Sequence, residues 1–250
     1  MSGHSKWSTI KHKKAATDAK RGQLFTRLAR EVTLAAREGG DPDMNFSLRL
    51  AIDKARAANM PKDNIERAIK RGTGELKGEE LFEILYEGYG PHGIAMLILV
   101  VTDNRNRSIA DVRRVFSRKG GNVAEPGAVA WQFKRKGYIT LSAQDQDGDQ
   151  VFEVALEADA DDVVFSDDMI EVFSDASVFQ GVREALEEAG IAMESTELSY
   201  FPDMPVALDE GNALQVMGLV DSLEELDDVQ QVYSTLDVTD ELMAAYEAAQ

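Results

Sequence analysis

The chain has 250 residues, 44% of them hydrophobic, with no cysteine and a formal net charge of -18. Its length predicts two or three domains, and the missing cysteine excludes disulfides, thiolate zinc sites and thiol nucleophiles. The longest apolar run, Ile94 to Val101, is too short to span a bilayer and reads as a buried strand.

The charge is segregated along the chain. Residues 1–74 hold 16 Lys and Arg against 8 Asp and Glu, residues 75–136 hold 10 against 8, and residues 137–250 hold Arg183 alone against 29. Segregation of this kind points to a polyanion partner for the basic end. Without an apolar signal core, and with Asp18 and Glu31 out of place in an organelle presequence, the chain is expected to be soluble and cytoplasmic.

In chain order, residues 1–20 are polar and basic and have too little apolar surface to fold alone, which predicts an arm that orders on a partner. Leu24, Leu28, Val32 and Ala35 recur at helical spacing up to Gly39 and Gly40. A second helix, carried by Leu48, Ala51, Ile52 and Ala55, ends near Asn59, and a third starts at Pro61 and stops at Gly72. After a charged hinge, Ile94–Thr102 predicts a strand. A helix capped by Asn106 or Ser108 then runs to about Lys119, and Ala128–Phe133 pairs with Tyr138–Leu141 as a hairpin. Beyond a linker come a helix (Val151–Ala158), two short strands (Val163–Phe165, Met169–Phe173), a helix (Val178–Ala189) and a strand (Ala192–Tyr200). A second linker precedes a helix near Asp209–Leu226, a strand at Val229–Leu236 and a C-terminal helix from Thr239.

The expected fold is therefore α+β. An N-terminal three-helix bundle is followed by two ferredoxin-like (split βαβ) α+β domains, the last inserted in the middle one. The expected boundaries are 1–75 for the arm and bundle, 76–141 plus 206–238 for the discontinuous domain, 142–205 for the acidic insert and 239–250 for the C-terminal helix. A plain series of domains is the alternative.

Three basic surfaces are candidates for phosphate contact, which needs long cationic side chains. The first comprises Lys6, Trp7, Lys11, His12, Lys13, Lys14, Lys20 and Arg21 of the arm with Arg27, Arg30 and Arg37 of the first helix; Trp7 can stack on an unpaired base. The second is Arg105, Arg107, Arg114 and Arg118, the last three on one face of their helix. The third is Lys134, Arg135 and Lys136 at the hairpin tip. For the second and third the competing reading is an ordinary solvated face. The acidic half reads as soluble surface that confines nucleic acid to the basic end, or as a dock for a basic protein.

No catalytic constellation or cofactor site is evident. His4, His12 and His92 are the only histidines, and no His/carboxylate motif has metal-ligand spacing. The glycine-rich segment Gly88–Gly93 precedes a strand, whereas phosphate-cradling loops follow one, and it reads as a tight turn.

Several motifs carry a resemblance: Gly3-His4-Ser5-Lys6-Trp7; Lys11-His12-Lys13-Lys14-Ala15 followed by Asp18-Ala19-Lys20-Arg21-Gly22; Ala58-Asn59-Met60-Pro61; Tyr86-Glu87-Gly88-Tyr89-Gly90-Pro91; and Asp103-Asn104-Arg105-Asn106-Arg107. With these, the chain resembles the YebC family over essentially its full length. That family is described as probable transcriptional regulatory proteins and includes mitochondrial translational activators. The resemblance implies three domains, one helical and two α/β, and no catalysis. His92 stands where a glycine is usual, and the C-terminal half is unusually acidic. The expected function is a non-enzymatic, DNA-binding regulator of transcription. The alternatives are a ribosome- or ribosomal-RNA-associated factor acting at proline-rich stretches, and a protein-interaction adaptor. No membrane or small-molecule partner is expected.

Overall fold

The computed structural model describes residues 18–144 and 146–248. The chain forms two compact units, one of residues Lys134–Phe201 and the other of the residues before and after it.

The larger unit opens with three helices. α1 (Asp18–Ala35) buries Leu28 and Val32 and ends in a 3-10 turn, Ala36–Glu38. α2 (Phe46–Ala57) is capped by Asn45, whose side-chain oxygen accepts from the amide of Leu48 while its NH2 donates to the carbonyls of Ala35 and Gly39. One cap thus starts α2 and fixes the end of α1. α3 (Lys62–Gly72) follows Pro61. Leu28, Val32, Leu48, Ile52, Ile65 and Ala68 form the shared core, each large side chain contributing roughly 2 kcal/mol of burial.

The chain then enters a sheet of β1 (Phe82–Tyr89), β2 (Ala95–Thr102), β3 (Asn122–Val123) and β8 (Val229–Ser234), in the order β3-β1-β2-β8. β1 is antiparallel to both neighbours, so β2 and β3 run parallel with β1 between them. Their connection, α4 (Arg105–Arg118), makes a split βαβ. α7 (Glu210–Glu224) precedes β8. Val112 and Phe116 of α4 and Val216, Leu219 and Val220 of α7 pack on Met96, Ile98, Val100 and Val232 of the sheet. A Cβ at Gly88 would come within 2.8 Å of the Phe116 ring, so glycine lets α4 close on β1. α8 (Asp240–Ala248) adds Leu242 and Met243 to this core.

The smaller unit runs β4 (Phe133–Ser142), α5 (Gly148–Glu157), β5 (Ala160–Phe165), β6 (Met169–Asp175), α6 (Phe179–Glu188) and β7 (Ser195–Pro202). Its strand order, β5-β6-β4-β7, with the element order βαββαβ, is ferredoxin-like. Val151, Ala155, Phe179, Val182 and Leu186 on the helices, and Ile139, Leu141, Ile170 and Val172 on the strands, are buried.

The fold class is the mixed α+β expected, and three details differ. Phe82–Tyr89, assigned to no element from sequence, is β1; its glycines lie at its end, and the positive φ falls on His92 (61°) and Gly93 (77°). The expected hairpin is instead a 3-10 turn, Ala130–Gln132, and one continuous strand. Lys134-Arg135-Lys136-Gly137 mimics a turn, yet Gly137 lies in β4, paired with Ser174 of β6, and is glycine where a Cβ would lie 2.3 Å from the Phe179 ring. Tyr138–Leu141 consequently belongs to the sheet of the inserted unit, and the compact units part at residue 133, not 141. Finally, α4 is capped by Asn104 rather than Asn106 or Ser108; its side chain accepts from the amide of Arg107.

Candidate nucleic-acid interface

Within the larger unit, the basic side chains meet an acidic turn. α7 ends at Glu224, leaving carbonyls without helical partners. Arg27 donates through Nη2 to the carbonyls of Glu224 and Leu226. Arg30 donates to the carbonyl of Asp227 at 2.7 Å, and Gln23 to the Asp227 carboxylate at 2.8 Å. α1 therefore supplies the positive charge that a helix C-terminus favours. Burial holds the Arg27 guanidinium below its usual range despite Glu224 and Asp227 nearby.

Asp228 closes the joint. It is 7% exposed, and its carboxylate accepts from Ser108 Oγ (2.5 Å), Arg107 Nη2 (2.9 Å) and Thr102 Oγ1 (3.0 Å) and pairs with Arg30 (3.1 Å). Burial pushes this carboxyl up, but the bonds from Ser108, Arg107 and Thr102, with the charge of Arg30, outweigh it and hold it below the usual carboxylate range. Arg107 also pairs with Asp103 at 2.7 Å, and the two carboxylates raise its own pKa. A cleft of about 670 Å3 beside this joint is lined by Arg30 and Arg107 together with Asp103, Asp111, Glu225 and Asp227. Carboxylates outnumber cations there, so the cleft does not suit phosphate.

The predicted side chains thus divide. Lys6, Trp7, Lys11, His12, Lys13 and Lys14 lie outside the described residues; Lys20 falls in the first turn of α1. Arg27, Arg30 and Arg107 face the acidic turn. Arg21 and Arg37 are exposed, and Arg105 lies over the Phe82 ring, 4.0 Å from its centroid. Arg114, paired with Asp111 at 2.8 Å, and Arg118 are exposed on α4. Lys134 and Arg135 are exposed at the start of β4 instead of at a hairpin tip, and half-buried Lys136 pairs with Asp161 at 3.3 Å.

Two further features lie outside the predicted set. Arg67, Lys70 and Arg71 are exposed together on α3, opposite buried Ile65 and Ala68. Their i, i+3, i+4 spacing was the available signal. The other is Trp131, 73% exposed, on the loop after β3. Glu87 of β1 fixes that loop: its carboxylate, 7% exposed, accepts from the amides of Gly127 (2.5 Å), Val129 (2.7 Å) and Ala130 (2.8 Å). Burial pushes Glu87 up, but those amides hold it below the usual range. The indole NH of Trp131 donates to the Ala128 carbonyl at 3.0 Å, which leaves the ring on a prearranged loop.

Comparison with known proteins supplies the family. Residues 5–75 match the model of the TACO1/YebC protein N-terminal domain, and residues 81–236 match that of the TACO1/YebC second and third domain. The chain belongs to the TACO1/YebC family. A TACO1/YebC-family relative in Geobacter sulfurreducens, named a probable transcriptional regulatory protein, is 54% identical over 97% of this chain and 98% of its own. One of the same name in Desulforapulum autotrophicum is 52% identical over 98% of this chain and all of its own. The crystal structure of a conserved hypothetical protein from Aquifex aeolicus superposes with a TM-score of 0.84 at 44% identity, covering 92% of this chain and 96% of that one. The signature motifs of the TACO1/YebC chain thereby acquire physical roles. Tyr86 to Pro91 contains Glu87 and Gly88, and Asp103 to Arg107 contains the α4 cap and the Arg107 arm of the Asp228 joint. No helix among the described residues is long and apolar enough to cross a membrane.

Proposed function

We propose that this chain is a non-enzymatic, cytoplasmic nucleic-acid-binding regulator of gene expression that acts on DNA as a transcriptional regulator. The observation that carries the reading is the segregation of charge: residues 1–74 hold 16 cationic side chains against 8 carboxylates in a protein of net charge -18. Exposed Arg21, Arg37, Arg67, Lys70 and Arg71, and on α4 Arg114 and Arg118, are available to phosphates. The names of the bacterial relatives support a role in transcription. Arg27, Arg30 and Arg107 are engaged by the turn at 224–228.

Fluorescence anisotropy with a labelled DNA duplex and an RNA hairpin of equal charge, across a salt series, tests this. Tighter binding to the duplex is expected, with affinity falling as salt rises. Replacing Arg67, Lys70 and Arg71 together by alanine is expected to flatten the slope of log K against log salt by about 0.9 for each lost contact. A second reading, an RNA target on the ribosome, is favoured by the first 22 residues, which join six Lys and Arg to Trp7. Preference for the hairpin, with ribosome co-sedimentation that survives DNase, would install it. Binding that is absent at every salt concentration would remove both.

A further inference from the structure

The inserted unit is the part of the chain that the nucleic-acid reading leaves without a task. Residues 134–201 contain 4 Lys and Arg against 17 Asp and Glu, so this unit repels phosphates. Yet it also displays large apolar side chains. Phe152 and Leu156 are 46% and 58% exposed, and Phe165 is 50% exposed. On α5, Gly148, Phe152 and Leu156 follow one another at four-residue spacing and so share one face. The Phe165 ring lies against that same face at Gly148, within 3.0 Å of where a Cβ would be. Asp149, Glu153 and Glu157 are exposed along the neighbouring line of the helix, and Asp167 and Asp168 are exposed just beyond Phe165. The result is an apolar strip with a carboxylate rim.

We infer that the α5–β5 face of the inserted unit is a docking surface for a basic amphipathic helix of a partner protein. Charge complementarity selects this occupant: apolar anchors fill the line from Phe152 to Phe165 while Lys or Arg meet the rim. A second copy of the chain is the wrong partner, because a two-fold contact would set the same carboxylates against each other. Strand addition is also disfavoured. β5 is an edge strand, but it carries Asp161 and Asp162 and a register shift between Ala160 and Asp162.

The test uses the full chain and a labelled synthetic helix of Leu and Lys about five turns long, with two control helices, one with Leu replaced by Ser and one with Lys replaced by Glu. Saturable binding of the Leu/Lys helix alone is expected, with amide NMR shifts confined to α5, β5 and the 166–168 turn. Phe152→Ser with Leu156→Ser is expected to weaken binding about tenfold. Glu153→Gln with Glu157→Gln, which leaves the apolar strip and the fold intact, is expected to weaken it about threefold and to reduce its salt dependence. Equal affinity for the Ser control, shifts spread over the acidic surface, or an unchanged affinity in both double variants would overturn the proposal. So would a dimer in sedimentation velocity that dissociates on Phe152→Ser with Leu156→Ser, since the occupant would then be a second copy.

Discussion

Asp228 and Glu87 are both buried carboxylates, each fixed by several donors, and the donors differ in kind. Asp228 gathers side chains from separate elements, with Arg30 from α1, Arg107 and Ser108 from α4 and Thr102 from β2, and in doing so draws Arg30 inward and ties down Arg107, whose side chain stays 47% exposed. Glu87 gathers backbone amides from one loop and in doing so leaves Trp131 facing outward. A carboxylate can therefore fix a side chain by holding it directly or by holding the backbone beneath it.

The contrast can be broken most forcefully at Asp228. Asp228→Ala leaves Arg30 and Arg107 without their shared anion and is expected to cost about 3 kcal/mol in denaturant unfolding. A loss no larger than that of an ordinary surface substitution would mean that the arginines are not held there. Glu87→Ala removes the acceptor of three amides and is expected to cost about 2 kcal/mol. In a Trp7→Phe background it should also change the emission of Trp131, and unchanged emission would show that the loop keeps its shape unaided.

Acid sharpens the comparison. Both carboxyls have folded pKa values below their unfolded ones, so their stabilisation is complete above the usual carboxylate range and is lost as pH falls through the lower folded values. Unfolding free energies measured from pH 3 to 7 should fall steeply at the acid end for the natural chain and less so for Asp228→Asn. Trp131→Ala is expected to leave stability within about 0.5 kcal/mol while weakening single-stranded nucleic acid by about 1 kcal/mol. Unchanged affinity in anisotropy would leave Trp131 a surface residue without a ligand. The smallest effect is at His92, whose φ of 61° favours glycine. His92→Gly is expected to stabilise by about 0.5 kcal/mol, read as a small rise in the unfolding midpoint.

Much of the fold was legible in the sequence because apolar periodicity is local. The helical faces of Leu28 and Val32, of Leu48 and Ile52 and of Val112 and Phe116 are where the spacing puts them. β1 and β4 were harder to see. Their glycines look like turn signals, whereas Gly88 and Gly137 stand where an aromatic ring from another element leaves no room for a side chain. The site was legible only in part, since net charge shows that cations are present but not which way they face. Arg27 and Arg30 share a helix with exposed Arg21, and only the distant pairing with residues 224–228 separates them. The motif from Asp103 to Arg107 was visible as a motif, but its partner Asp228 lay hidden in a long acidic stretch.

The order of synthesis gives the discontinuous sheet a consequence in time. Every strand and helix of the inserted unit leaves the ribosome in one contiguous stretch, so that unit can fold as soon as β7 has emerged. The larger sheet must wait for β8, which pairs with β2 across more than a hundred intervening residues. Until the turn at 224–228 appears, Arg27 and Arg30 have no acidic partner to meet. A nascent chain that ends before that turn therefore lacks the groups that hold Arg27 and Arg30 in the finished fold.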